Sequence, residues 1–74
     1  MLFIATARCQ DEGELIQVLG RLASITNAKV EVEGLDIGII YEPSDTETSR
    51  EEEETIAKLT DIIDSIPTHG ICTI

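Results

Sequence analysis

The sequence predicts an α+β fold: a four-stranded antiparallel sheet with two helices on one of its faces. Two observations carry this expectation. Six short hydrophobic patterns follow one another as strand, helix, strand, strand, helix, strand, and they use nearly all of the 74 residues. The apolar content is almost wholly aliphatic, with twelve isoleucines against one Phe, one Tyr and no Trp. A chain of this length reads as one domain, 1–74, which buries only about 60–65% of its unfolded surface. Its core must therefore be tightly packed or completed by another subunit.

Leu2 to Ala7 is an apolar run rich in strand formers and reads as the first strand. Asp11, Glu12 and Glu14 suit the first turn of a helix, where the positive end of the dipole favours acids. Leu15, Leu19 and Leu22 continue at helical spacing, supported by Ile16, Val18 and Ala23, and Asn27 ends the helical region. Lys29-Val30-Glu31-Val32-Glu33 alternates strictly, the pattern of a strand with one wet face. Gly34 permits a tight turn into a strand from Leu35 to Tyr41, which makes the two a hairpin. Pro43 to Thr48 is a polar connector. Ser49 with Glu52 forms a capping-box pattern for the second helix, and Thr48 with Glu51 is a competing start. Ile56, Leu59, Ile63 and Ile66 give that helix one apolar stripe, widened by Ile62, and Pro67 stops it. Gly70 to Ile74 is the last strand.

This order is the split βαβ, or ferredoxin-like, arrangement. Right-handed crossovers place both helices on one face and put the first and third strands in the centre. A sheet covered on one side should alternate apolar and polar residues. The central strands do not: Leu2-Phe3-Ile4 and Ile37, Ile39, Ile40, Tyr41 put apolar groups on both faces. The uncovered face is therefore expected to pack against a second copy, as a homodimer or higher oligomer, or against another partner.

The net charge of −10 is unevenly placed. Residues 1–41 carry six acids and three bases, and residues 42–64 carry nine acids and two bases. No basic stripe could neutralise phosphates, and two aromatics are too few for base stacking, so direct DNA or RNA binding is not expected. Contact with a basic protein surface stays open. The apolar start stops at Arg8, far short of the ~20 residues of a spanning helix, so a cytoplasmic chain without membrane contact is expected.

Cys9 falls at the far end of the first strand and Cys72 midway along the last, so both read as reduced thiols rather than a disulfide. Cys9 and His69 share one end of neighbouring strands, with Asp11 and Glu12 nearby. That placement could make a nucleophile with its base, or half a metal site. A zinc site wants four ligands, and a small buried Cys beside a loop His is the simpler reading. Glu51 to Glu54 read as a solvated helix start, with Glu54 and Lys58 a favourable pair, or as an acidic surface for a basic partner. The stretch from Asp45 to Glu54 lacks the central Gly of a calcium loop. Gly34 and Gly38 could admit a ligand close to the backbone; alternatively they serve the hairpin turn and relieve crowding under another layer. His69 is the only His and no Ser stands in an elbow-like context, so Ser-His-Asp chemistry is unsupported and no catalytic, cofactor-binding or metal-binding residue is assigned. The chain reads as non-enzymatic, with a small enzyme whose chemistry lies between subunits as the third reading.

Gly34-Leu35-Asp36-Ile37, together with Ile66-Pro67 and Gly70-Ile71-Cys72-Thr73-Ile74, resembles the stand-alone effector-binding domains of the leucine-responsive regulator family. Leu35 stands where that family tends to carry an aromatic, and its Pro-Gly before the last strand is split here. ACT-type regulatory domains and the small chaperone domain of periplasmic nitrate reductase maturation share the layout. The resemblance implies a module that dimerises through its sheet and binds small molecules or peptides at subunit boundaries. The expected function is thus an oligomeric regulatory or ligand-binding module with candidate contacts at Gly34 and Asp36. The alternative is a small acidic inhibitor, of the phage-antagonist or nucleic-acid-mimic kind, that blocks a basic protein surface through residues such as Glu51 and Glu54.

Overall fold

Phe3–Arg8 (β1), Glu12–Leu22 (α1), Lys29–Glu33 (β2), Asp36–Tyr41 (β3), Ser49–Asp64 (α2) and Thr68–Thr73 (β4) follow one another in the computed structural model, which describes residues 2–74. The strands form one antiparallel sheet in the order β2-β3-β1-β4, so β1 and β3 are central and the fold is the ferredoxin-like α+β arrangement.

Local chemistry sets the helix ends. The Asp11 carboxylate accepts from the Glu14 backbone N–H at 2.8 Å, while the Glu14 carboxylate accepts from the Gln10 N–H at 3.2 Å, so the two side chains cap α1 reciprocally. The helix stops at Leu22, five residues before Asn27. Beyond it the Ser24 hydroxyl donates to the Arg21 carbonyl at 2.9 Å, a local bond that competes with continued helix. Of the two possible starts for α2, Thr48 wins. Its hydroxyl accepts from the Glu51 N–H at 3.2 Å, which leaves Ser49 as the first helical residue. β4 begins at Thr68, directly after Pro67 and two residues before Gly70. Gly34 turns the β2–β3 hairpin at φ +61°, a left-handed conformation that favours glycine.

The core lies between the helices and the inner face of the sheet. Phe3, Ala5 and Ala7 of β1 and Ile37, Ile39 and Tyr41 of β3 are buried there. α2 covers them with Leu59, Ile62 and Ile63, continued by Ile66; Ile56 is partly buried against the same cluster. From α1 the buried residues are Val18 and Leu22, with Ile25 following. The expected stripe Leu15, Leu19, Leu22 is therefore corrected. The line 15, 18, 22, 25 has the three-four spacing of a single helical face and turns Leu19 to its flank, half-buried, while Ile16 stays 69% exposed.

Candidate functional site

Strand parity decides what the uncovered face of the sheet carries. Phe3 and Ile39 point to the helices, so Ile4, Thr6 and Arg8 of β1 and Asp36, Gly38 and Ile40 of β3 point away. The register arranges them in rows across the sheet. Lys29, Ile40, Ile4 and Cys72 form one row, Glu31, Gly38, Thr6 and Gly70 the next, and Glu33, Asp36, Arg8 and Thr68 the third. Leu2 and Ile74 pair through reciprocal backbone bonds of 2.8 Å and extend the aliphatic end. One end of the face is thus aliphatic and the other charged, with a row between them whose two glycines have no side chains.

That middle row makes a trough. Gly38 and Gly70 flank Thr6, and the open trough spans about 890 Å³ with Arg8, Asp36, Glu31, Glu33 and Thr68 around it. A Cβ added at Gly38 would meet nothing within 4 Å. The expectation that Gly38 relieves crowding under another layer therefore does not describe this chain by itself: the space above it is open. Arg8 Nε lies 3.3 Å from Asp36 Oδ1, both side chains being mostly exposed. Asp36 also stands opposite Glu33, so the trough carries more negative than positive charge, and like charges facing each other repel. The arrangement offers hydroxyls, a carboxylate excess and one guanidinium over a floor of bare backbone.

The four residues singled out from the sequence do not gather in one place. Asp36 lines the trough, and Gly34 turns the hairpin at the same end of the sheet. Glu51 and Glu54 line a different depression, on the helix side near Tyr41, together with Glu47, Asn27, Thr55 and Lys58. There the Asn27 amide donates to the Glu47 carboxylate at 3.4 Å and to the Thr55 hydroxyl at 3.3 Å, and the buried Tyr41 hydroxyl donates to Glu47. Burial, reinforced by the bond to Glu47, pushes the Tyr41 phenol up to about 12. The same bond holds Glu47 below the usual carboxylate value.

Cys9 and His69 do not form a nucleophile and base. Cys9 is buried, and burial together with the Glu14, Asp11 and Asp36 charges raises its thiol pKa, which disfavours the reactive thiolate. The His69 ring is engaged at both nitrogens, with Nδ1 2.5 Å from the Ile66 carbonyl and Nε2 3.1 Å from Asp64 Oδ1. Cys72 pairs with Ile4 on the open face, away from Cys9, and both cysteines are free. Among the described residues no three His, Cys, Asp or Glu side chains gather as a metal site would require, and no helix is long and apolar enough to cross a membrane.

Thr6, Arg8 and Thr68 belong to the trough and are not among the residues the sequence singles out, and Gly70 enters there only through the family resemblance. The hairpin turn at Gly34 fixes Glu31 opposite Gly38, so half of the row follows from a local signal. The other half depends on the β1–β4 register, which joins the two ends of the chain. No family model, curated protein or solved structure matches this chain.

Proposed function

We propose that this chain is a non-enzymatic, oligomeric binding module that takes a small molecule or a short peptide segment in the trough of its open sheet face. One observation carries the reading: Gly38, Thr6 and Gly70 lie side by side across three strands, leaving backbone uncovered between an aliphatic end and a charged end. Binding sites pair an apolar surface with a few convergent polar groups, and this face has both. With Asp36, Glu31 and Glu33 against Arg8, the favoured ligand carries an ammonium group, alone or with a carboxylate for the guanidinium to meet. Free amino acids and peptide amino termini have that chemistry. The resemblance of the Gly34–Ile37 hairpin to effector-binding domains of leucine-responsive regulators points the same way.

A titration of the labelled protein with the twenty amino acids and a neutral tripeptide, followed by amide chemical shifts, tests this. Shifts concentrated at Thr6, Gly38 and Gly70 are the expected result. No shift with any of them would remove the trough as a small-ligand site.

A second reading rests on the exposed acids at the start of α2. Glu51, Glu53 and Glu54 face solvent, and Glu47 lies in the same depression as Glu51 and Glu54, so the chain would bind a basic protein surface there. Salt-sensitive binding to a polylysine surface that Glu51→Gln with Glu54→Gln abolishes would favour it. Those two changes should alter stability by no more than about 1 kcal/mol, since acids in a first helical turn contribute little when exposed.

A further inference from the structure

The two edges of the sheet differ in a way that identifies a partner. β2 carries Lys29, Glu31 and Glu33, charged side chains of the kind that keep an open edge from pairing. β4 carries no Asp, Glu, Lys or Arg along Thr68–Thr73, and its Ile71 is 40% exposed. We propose that β4 pairs antiparallel with β4 of a second copy of this chain, about a two-fold axis at Ile71, joining two four-stranded sheets into one.

The backbone hydrogen-bonding phase fixes the register. Leu2 and Ile74 exchange both of their backbone bonds, so Cys72, Gly70 and Thr68 also direct their N–H and C=O groups to β1. His69, Ile71 and Thr73 then direct theirs outward from the sheet. With the axis at Ile71, His69 of each copy faces Thr73 of the other and Ile71 faces Ile71, so every outward donor meets an outward acceptor. The half-exposed Ile71 side chains come together on the helix side of the joined sheet. A closed two-fold contact of this kind uses the same patch on both chains.

Charge selects a second copy at this place rather than elsewhere. A chain of net −10 repels its copies wherever acids face acids, and of the two edge strands β4 is the one without them. The pairing also completes the proposed binding module, on whose reading it rests only in placing the trough at a subunit boundary. The row Glu31, Gly38, Thr6 and Gly70 runs to the β4 edge and would continue, across it, into Cys72 of the second copy.

Light scattering at micromolar concentration should give twice the mass of the chain. Ile71→Pro should give the monomer mass with an unchanged circular dichroism spectrum, because the N–H it removes points away from β1. Ile71→Lys keeps the backbone intact and should also give the monomer, which covers the case in which the proline variant unfolds. Gly70→Cys adds a Cβ in ordinary contact, 3.7 Å from Thr6 Oγ1. The new thiol would stand opposite Cys72 of the second copy at a Cα separation of about 4.5 Å, within disulfide range. Oxidised glutathione should therefore convert this variant, and not the wild type, to a covalent dimer. A monomeric wild type overturns the pairing. So does a dimer that survives both Ile71 changes, and so does one that Ile40→Lys on the open face dissolves while Ile71→Lys does not. Failure of the trough itself is read separately, from the amide shifts at Thr6 in the monomeric Ile71→Lys variant.

Discussion

Phe3, Ala5 and Ala7 point towards the helices, while Ile4, Thr6 and Arg8, interleaved with them on β1, point away. β3 divides the same way, with Ile37, Ile39 and Tyr41 inside and Asp36, Gly38 and Ile40 outside. The inner set is aromatic or aliphatic throughout and meets α2, whose Leu59 and Ile63 are fully enclosed. The outer set grades from Ile4 and Ile40 through Thr6 beside Gly38 to the Arg8–Asp36 ion pair. One face is spent on stability, and the other keeps its apolar and polar groups apart on a surface open to solvent. An isoleucine on this sheet therefore has two possible meanings, and the hydropathy of the strand does not distinguish them.

The largest expected effect tests that division directly. Leu59→Ala and Ile63→Ala should each cost about 2–5 kcal/mol, since both side chains are enclosed and a 74-residue fold has little room to collapse around the cavity. Ile40→Ala, made in the monomeric Ile71→Lys background, should cost less than about 1 kcal/mol, because Ile40 is 38% exposed and leaves no cavity. Urea denaturation midpoints measure both. An Ile40→Ala cost equal to that of Leu59→Ala would mean that the open face is covered in solution even when β4 is unpaired.

A smaller contrast separates two leucines of α1. Leu22 is buried and Leu19 is half-buried on the flank of the stripe. Leu22→Ala should cost about 2–4 kcal/mol and Leu19→Ala about 1 kcal/mol, the difference reflecting how much of each side chain leaves water on folding. Equal midpoints would show that α1 sits rotated about its axis from the arrangement described.

The Tyr41–Glu47 bond gives the helix side a pH dependence. Tyr41 is raised from 10.0 to about 12 in the folded chain, so its contribution is complete below pH 10 and is lost as pH climbs towards 12. Glu47 is lowered from 4.5, so its contribution is present above that value and is lost as pH falls through the folded pKa. Thermal midpoints should thus fall at both ends, and Cys9, whose buried thiol is raised from 9.0, shares the alkaline fall with Tyr41. Tyr41→Phe should reduce the alkaline fall and weaken the acid one. An unchanged alkaline fall would assign it to another group.

How much of this was legible in the sequence depends on the distance over which each signal acts. The element order, the Gly34 turn and the Thr48 or Ser49 start of α2 are set by residues within a few positions of one another. They could be read directly. The parity of Phe3-Ile4 and Ile39-Ile40 could not, because both members of each pair are apolar and only the helices decide which is covered. The trough was less legible still. Gly38, Thr6 and Gly70 come from the middle, beginning and end of the chain, and only the two β1 registers bring them side by side. Asp36 was singled out through the hairpin resemblance, while its partner Arg8 had no local signal. Glu51 and Glu54 stood out through composition, and the fold places them on the side opposite the trough.

The smallest expected effect on stability concerns Asp36, and for that reason it separates folding from binding most sharply. Its ion pair with Arg8 spans 3.3 Å between side chains that are 70% and 60% exposed, the kind of pair worth only about 0.2–1 kcal/mol. Opposite it stands Glu33, whose repulsion the change to Asn would relieve, offsetting part of that loss. Asp36→Asn should therefore leave the denaturation midpoint within about 0.5 kcal/mol of the wild type. In the trough the same change removes one of three carboxylates around a single guanidinium, so affinity for an ammonium-bearing ligand should fall several-fold and its dependence on salt should weaken. Isothermal titration at two ionic strengths reads both. A wild-type affinity in Asp36→Asn would move the ligand away from the charged end of the open face, towards Ile4 and Ile40.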